Sequence, residues 1–92
     1  MLFEGSFLKR HGLLLLKPDR AVEFVYECEK QRVVLLGIDV FLLSQDHIQP
    51  LMELGIDFTL VSNSYPIITR YNMAREKIRS TENLYYEIVI EV

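Results

Sequence analysis

The sequence predicts a single α+β domain spanning 1–92, with two helices packed on one face of a three- to four-stranded, mostly antiparallel sheet. Three observations predict it. Ile67, Tyr71, Ala74 and Ile78 recur at i, i+4, i+7 and i+11, one face of a helix. Residues 84–92 alternate strictly, with Leu84, Tyr86, Ile88, Ile90 and Val92 on one side and Tyr85, Glu87, Val89 and Glu91 on the other. That is the period of a half-buried strand. Residues 32–43 form a nearly continuous apolar run rich in β-branched side chains, suited to a central strand buried on both faces. Elements with one apolar side must stack in layers, and two helices over one sheet is the simplest arrangement.

Taken in order, residues 1–12 fit no period: Gly5 and Gly12 bracket a segment compatible with a helical turn or an irregular lead-in. Leu13, Leu14, Leu15 and Leu16 suit a short buried strand. Residues 19–30 fit two patterns, because Ala21, Phe24, Val25 and Cys28 share a helical face while Val22, Phe24, Tyr26 and Cys28 alternate as a strand would. The flank decides for a helix over 18–30. Glu29, Lys30, Gln31 and Arg32 are helix formers with no turn residue among them, and Pro18 and Asp19 suit a helix start. Within the apolar run that follows, Gly37 signals a bulge or a close backbone approach, and Asp39 must sit at a bulge, be paired or face out. Ser44, Gln45 and Asp46 make a turn, and 47–51 returns as a short edge strand bearing Pro50. Residues 52–65 connect, with Ile56, Phe58 and Leu60 alternating and Ser62, Asn63 and Ser64 forming a loop. Pro66 opens the helix 66–79, and 81–83 turns the chain into the last strand. Pairing of 84–92 with 33–42 does not follow from the sequence alone.

Composition bounds the function. Half of the 92 residues are hydrophobic and a quarter are charged, a globular balance. A net charge of −3 argues against a general nucleic-acid binder. One cysteine, Cys28, excludes an internal disulfide and points to an intracellular, cytoplasmic home. The apolar run at 13–16 is too short for a membrane span or a signal-peptide core.

Parts for catalysis are few. Cys28 lies on an apolar helical stripe and reads as a buried structural thiol. His11 and His47 belong to no metal-ligand spacing, so neither metal nor cofactor is expected. No glycine-rich phosphate loop and no nucleophile elbow occurs. A small enzyme or ligand-binding domain would have to use Asp39 with His47 or Tyr71 in a concave pocket.

Charge distribution is more informative. Residues 33–69 contain the acids Asp39, Asp46, Glu53 and Asp57 and no Lys or Arg, whereas 70–79 contain Arg70, Arg75, Lys77 and Arg79 against Glu76. An acidic strand–loop surface beside a basic helix suggests a polar recognition face, with Asp39, Asp46, Glu53, Asp57, Arg70 and Lys77 as candidate partner contacts. The plainer alternative is an ordinary charged helix face whose cations offset the acids within the monomer. Tyr26, Tyr65 and Tyr85, off the core face, would add contact area to an interface or pack at the core edge with wet hydroxyls.

The segments Ala21-Val22-Glu23-Phe24-Val25, Val33-Val34-Leu35-Leu36-Gly37-Ile38-Asp39-Val40, Ile48-Gln49-Pro50, the helix carrying Ala74 and Ile78, and Tyr85-Tyr86-Glu87-Ile88-Val89 run through most of the chain. In this order they resemble the small immunity proteins of bacterial polymorphic toxin systems, in particular the immunity protein 40 family. The resemblance implies a non-catalytic cytoplasmic protein that binds and neutralises a cognate toxin domain. If that toxin is a nuclease, the acidic stretch 39–57 would cover its basic substrate cleft. The alternative is a small regulatory or self-associating interaction domain.

Overall fold

The computed structural model describes residues 7–10, 13–60, 65–81 and 83–91. His11, the loop at 62–64 and Glu82 lie outside the described residues. The chain forms β1 (Phe7–Arg10), β2 (Leu13–Leu16), α1 (Pro18–Gln31), β3 (Leu35–Leu43), β4 (Ile48–Pro50), a 3-10 turn (Met52–Leu54), β5 (Ile56–Asp57), α2 (Ile67–Ser80) and β6 (Tyr85–Ile90). The fold is α+β, as the sequence predicts, and its sheet is wholly antiparallel in the order β1-β2-β6-β3-β4, with β5 also paired to β3.

The sheet is wider than the three or four strands expected. Residues 7–10, unassigned in the sequence, pair in register with 13–16 as a hairpin, and β5 adds two residues beside β3. Strands this short contain too few alternations to register as a period.

Both helices pack on one face. Ala21, Val25 and Cys28 of α1, and Tyr71, Ala74 and Ile78 of α2, meet Leu35, Ile38, Val40 and Tyr86 in one core. Cross-strand partners share a face, so Ile38 with Ile88 and Val40 with Tyr86 look toward the helices, while Asp39 with Glu87 and Phe41 with Tyr85 look away. β3 is therefore not buried on both faces as expected, since Asp39 and Leu42 are exposed. Ile67, the first residue of the predicted α2 stripe, is 43% exposed and lies outside the core.

Two hydroxyls fasten the layers. Tyr71 donates to the Val33 carbonyl at 2.6 Å, and the buried Tyr86 hydroxyl bonds the Ile78 carbonyl in the last turn of α2 and Thr81 Oγ1 just past its end. α1 closes on Arg32, held in the left-handed region at φ 58°, with the Val33 amide bonded back to Cys28.

Candidate functional site

The acidic residues of 39–57 gather on and beside one edge of the sheet. β6 occupies one side of β3, and β4, the 3-10 turn and β5 share the other. Pro50, without an N–H, ends β4. The chain then steps out through Leu51–Gly55 and returns as β5. Its return requires Gly37, where an added Cβ would stand 2.7 Å from the Ile56 carbonyl oxygen, and Gly55, where it would stand 2.9 Å from that of Ile38. The register also shifts between Leu35 and Gly37. The bulge and the close approach that Gly37 signals are thus both present.

This path sets the acids. Asp46 sits in the exposed turn between β3 and β4, which the Ser44 amide and hydroxyl close onto the His47 carbonyl at 3.0 and 3.2 Å. Glu53 projects from the 3-10 turn, and Asp57 from β5. One Asp57 oxygen accepts from the hydroxyl and the amide of Thr59, at 2.5 and 2.9 Å, and these bonds hold its carboxyl below the usual range. Asp39 faces out on the sheet surface directly opposite Glu87. Burial, then the charge of Asp39 and a hydrogen bond with it, push the Glu87 carboxyl up. Glu87 was not among the residues the sequence picks out, because its neighbour depends on strand register.

The basic helix is arranged differently. Arg70 Nε donates to the Tyr65 carbonyl and its Nη1 to the Leu35 carbonyl, both at 2.9 Å, and its guanidinium lies 5.5 Å from the centre of the Phe58 ring. It ties three segments together inside the chain and offers a partner little. Arg75, 6% exposed, donates to Glu29 at 2.7 Å and Asn72 at 2.5 Å and stacks 4.3 Å over the Tyr26 ring. Arg79 reaches the Tyr26 hydroxyl at 3.3 Å. Lys77 is half-buried, roughly 10 Å of helix beyond Arg70. The six candidate contacts therefore do not form one patch: the four acids share the β3 region, Arg70 is turned inward, and Lys77 lies further along α2.

The residues considered for catalysis stay apart. Burial pushes the Cys28 thiol up to about 11, so it holds its proton at neutral pH. Tyr71 is committed to Val33 beneath the helices, Asp39 faces out from the opposite side of the sheet, and His47 is in the exposed turn. A depression of about 390 Å³ is lined by Pro18, Asp19, Val22, Ile78, Arg79, Thr81 and Asn83, none of them in that trio. Among the described residues no group of three or more His, Cys, Asp or Glu side chains could hold a metal ion, and no helix is long and apolar enough to cross a membrane.

A further surface feature was only partly seen in the sequence, through Tyr65. Of the seven large apolar side chains exposed among the described residues, five fall within 52–68: Met52, Leu60, Tyr65, Ile67 and Ile68. The adjacent isoleucines at the start of α2 were the available signal, because one helical stripe cannot bury two consecutive residues equally. Compared with known proteins, the chain matches no protein-family model and no curated protein.

Proposed function

We propose that this chain is a non-catalytic protein-binding domain that neutralises a cognate bacterial toxin domain by covering its active site or a neighbouring surface. The observation that carries the reading is the exposed acidic edge: Asp46 in the β3–β4 turn, Glu53 in the 3-10 turn and Asp57 in β5 project from consecutive pieces of the chain after β3, in a stretch of 37 residues without Lys or Arg. Such a surface speeds encounter with a basic partner and discriminates against acidic ones. The resemblance to immunity proteins supplies the class of partner, and a nuclease domain with a basic cleft suits the charge. Cytoplasmic residence belongs to the same reading.

The test is co-expression with the product of the gene immediately upstream. A stable complex that protects the cell is expected. Combined Asp46→Lys, Glu53→Lys and Asp57→Lys should abolish protection while leaving the far-ultraviolet spectrum and melting temperature close to those of the parent. Undiminished protection by that variant would overturn the charge-based docking.

One observation favours a second reading, self-association. Among the described residues β1 ends the sheet and pairs only with β2, and a strand at a sheet edge is a template for pairing with another chain. A mass that rises with concentration in sedimentation, with no upstream partner bound, would select it.

A further inference from the structure

We infer that Met52, Leu60, Tyr65, Ile67 and Ile68 anchor a protein partner whose own contact surface is apolar at its centre and rimmed by lysine or arginine. The inference rests on the reading of the chain as a protein-binding domain and names the surface through which it binds.

Leu60 and the start of α2 lie at one end of the β3 edge, and Met52 stands further along that edge, next to Leu51, whose amide bonds the Val40 carbonyl at 2.8 Å. The stretch from Met52 to Leu60 runs along the free side of β3, with the Phe58 amide bonded to the Leu36 carbonyl at 2.9 Å. α2 begins at the same end, because Arg70 from its first turns touches the Leu35 carbonyl, the Tyr65 carbonyl and the Phe58 ring together. Arg70 thus braces the end of the edge that carries Tyr65 and the start of α2.

The fold does not account for these side chains. Exposures of 84% for Met52, 70% for Ile68, 50% for Leu60, 43% for Ile67 and 39% for Tyr65 sit beside a core that is complete with Tyr71, Ala74 and Ile78. The start of α2 is also poorly chosen for helix stability. Pro66 stands at the N-cap with no side-chain cap hydrogen bond, and the first turn has no acid. A Ser or Asp cap and an acidic first turn each favour a helix start. Two isoleucines, Ile67 and Ile68, occupy first-turn positions where an acid would help.

Charge selects the occupant. Glu53 and Asp57 lie on the same edge as Met52 and Leu60, and 33–69 contain no Lys or Arg. The nearest cation in sequence, Arg70, is committed inward. An apolar centre with a charged rim is the general anatomy of a protein interface, with most affinity in a few large central side chains. The complement of this one is a protein surface with a basic rim.

The experiment places a photo-crosslinking amino acid at Ile68, and separately at exposed Lys30 on α1 as control, in the full chain inside its native host. The captured protein is then purified and titrated. An adduct at Ile68 and none at Lys30 is expected. Ile68→Asp should weaken binding about 30-fold or more, without lowering the melting temperature, because it adds an acid to the first turn of a helix. Glu53→Lys with Asp57→Lys should weaken binding and flatten its salt dependence. A captured toxin domain that behaves so supports both readings. Any other basic-rimmed protein that behaves so supports the patch and removes the toxin. No adduct at Ile68, an adduct between two copies of this chain, or an affinity unmoved by Ile68→Asp overturns the inference.

Discussion

On the helix side of the molecule, Arg75 is enclosed by Glu29, Asn72 and the Tyr26 ring, whereas on the β3 edge Asp46 and Glu53 stand in solvent with no ion pair to any described residue. Both regions are polar, yet only the first uses its polarity to hold the chain together. The helix layer brings opposite charges from two elements against each other, so removing one leaves the other partly desolvated. The edge segregates one sign of charge beside exposed apolar groups, so its side chains contribute to the fold mainly through backbone geometry. The difference teaches that a charge run in sequence has two fates, internal brace or outward field, and that burial separates them.

Four substitutions break or sharpen this contrast. Arg75→Ala should have the largest effect on stability, about 3 kcal/mol in urea unfolding, or on the order of 12–24 °C in melting temperature for a domain of this size. The half-exposed Glu29 keeps the loss near the lower end of the range for buried pairs. Gly37→Ala should cost about 2 kcal/mol, because the new methyl meets the Ile56 carbonyl oxygen and displaces β5 from β3. Faster amide exchange at Phe58 would report that displacement, and an unchanged rate would mean the edge gives without unpairing.

Glu87→Gln comes next and changes the shape of the stability curve more than its height. The folded chain holds the Glu87 proton more tightly than the unfolded chain does, because of burial and the facing Asp39. That contribution is fully present below the unfolded value of about 4.3 and is lost as pH rises through the higher folded value. Thermal melts between pH 4 and 7 should therefore show the variant gaining on the parent as pH rises, by less than about 1 kcal/mol in a group this open to solvent. Parallel curves would remove the proton-sharing pair. The smallest effect on stability belongs to Glu53→Lys, within about 0.5 kcal/mol, although the same change should slow association with a basic partner at low salt.

Much of the architecture was legible in the residues themselves. The stripe Tyr71, Ala74, Ile78 and the alternation through Tyr86, Ile88 and Ile90 carry their periods over several repeats, and both elements appear within a residue or two of their expected limits. Gly37 was legible because a residue without a side chain in an apolar strand has few other reasons to be there. β1 and β5, four and two residues long, depend on pairing partners that no local pattern specifies. The run of acids without a cation was legible, but not which way Asp39 faces; Arg70 could not be seen to fold back onto Phe58, and Glu87 could not be seen to face Asp39. These facts need the register and the helix position first.

The detour through Leu51–Gly55 also determines how a partner can approach. An outside strand adding to a sheet needs an unbroken row of main-chain donors and acceptors. Here β4 offers three residues ending on Pro50 and β5 offers two, with a 3-10 turn between them. Strand addition finds no template along this side, so recognition must run through side chains. The same interruption denies a foothold to cross-β growth, which needs flat runs of roughly six residues, and lets an edge bearing Met52 remain open to solvent without seeding fibrils.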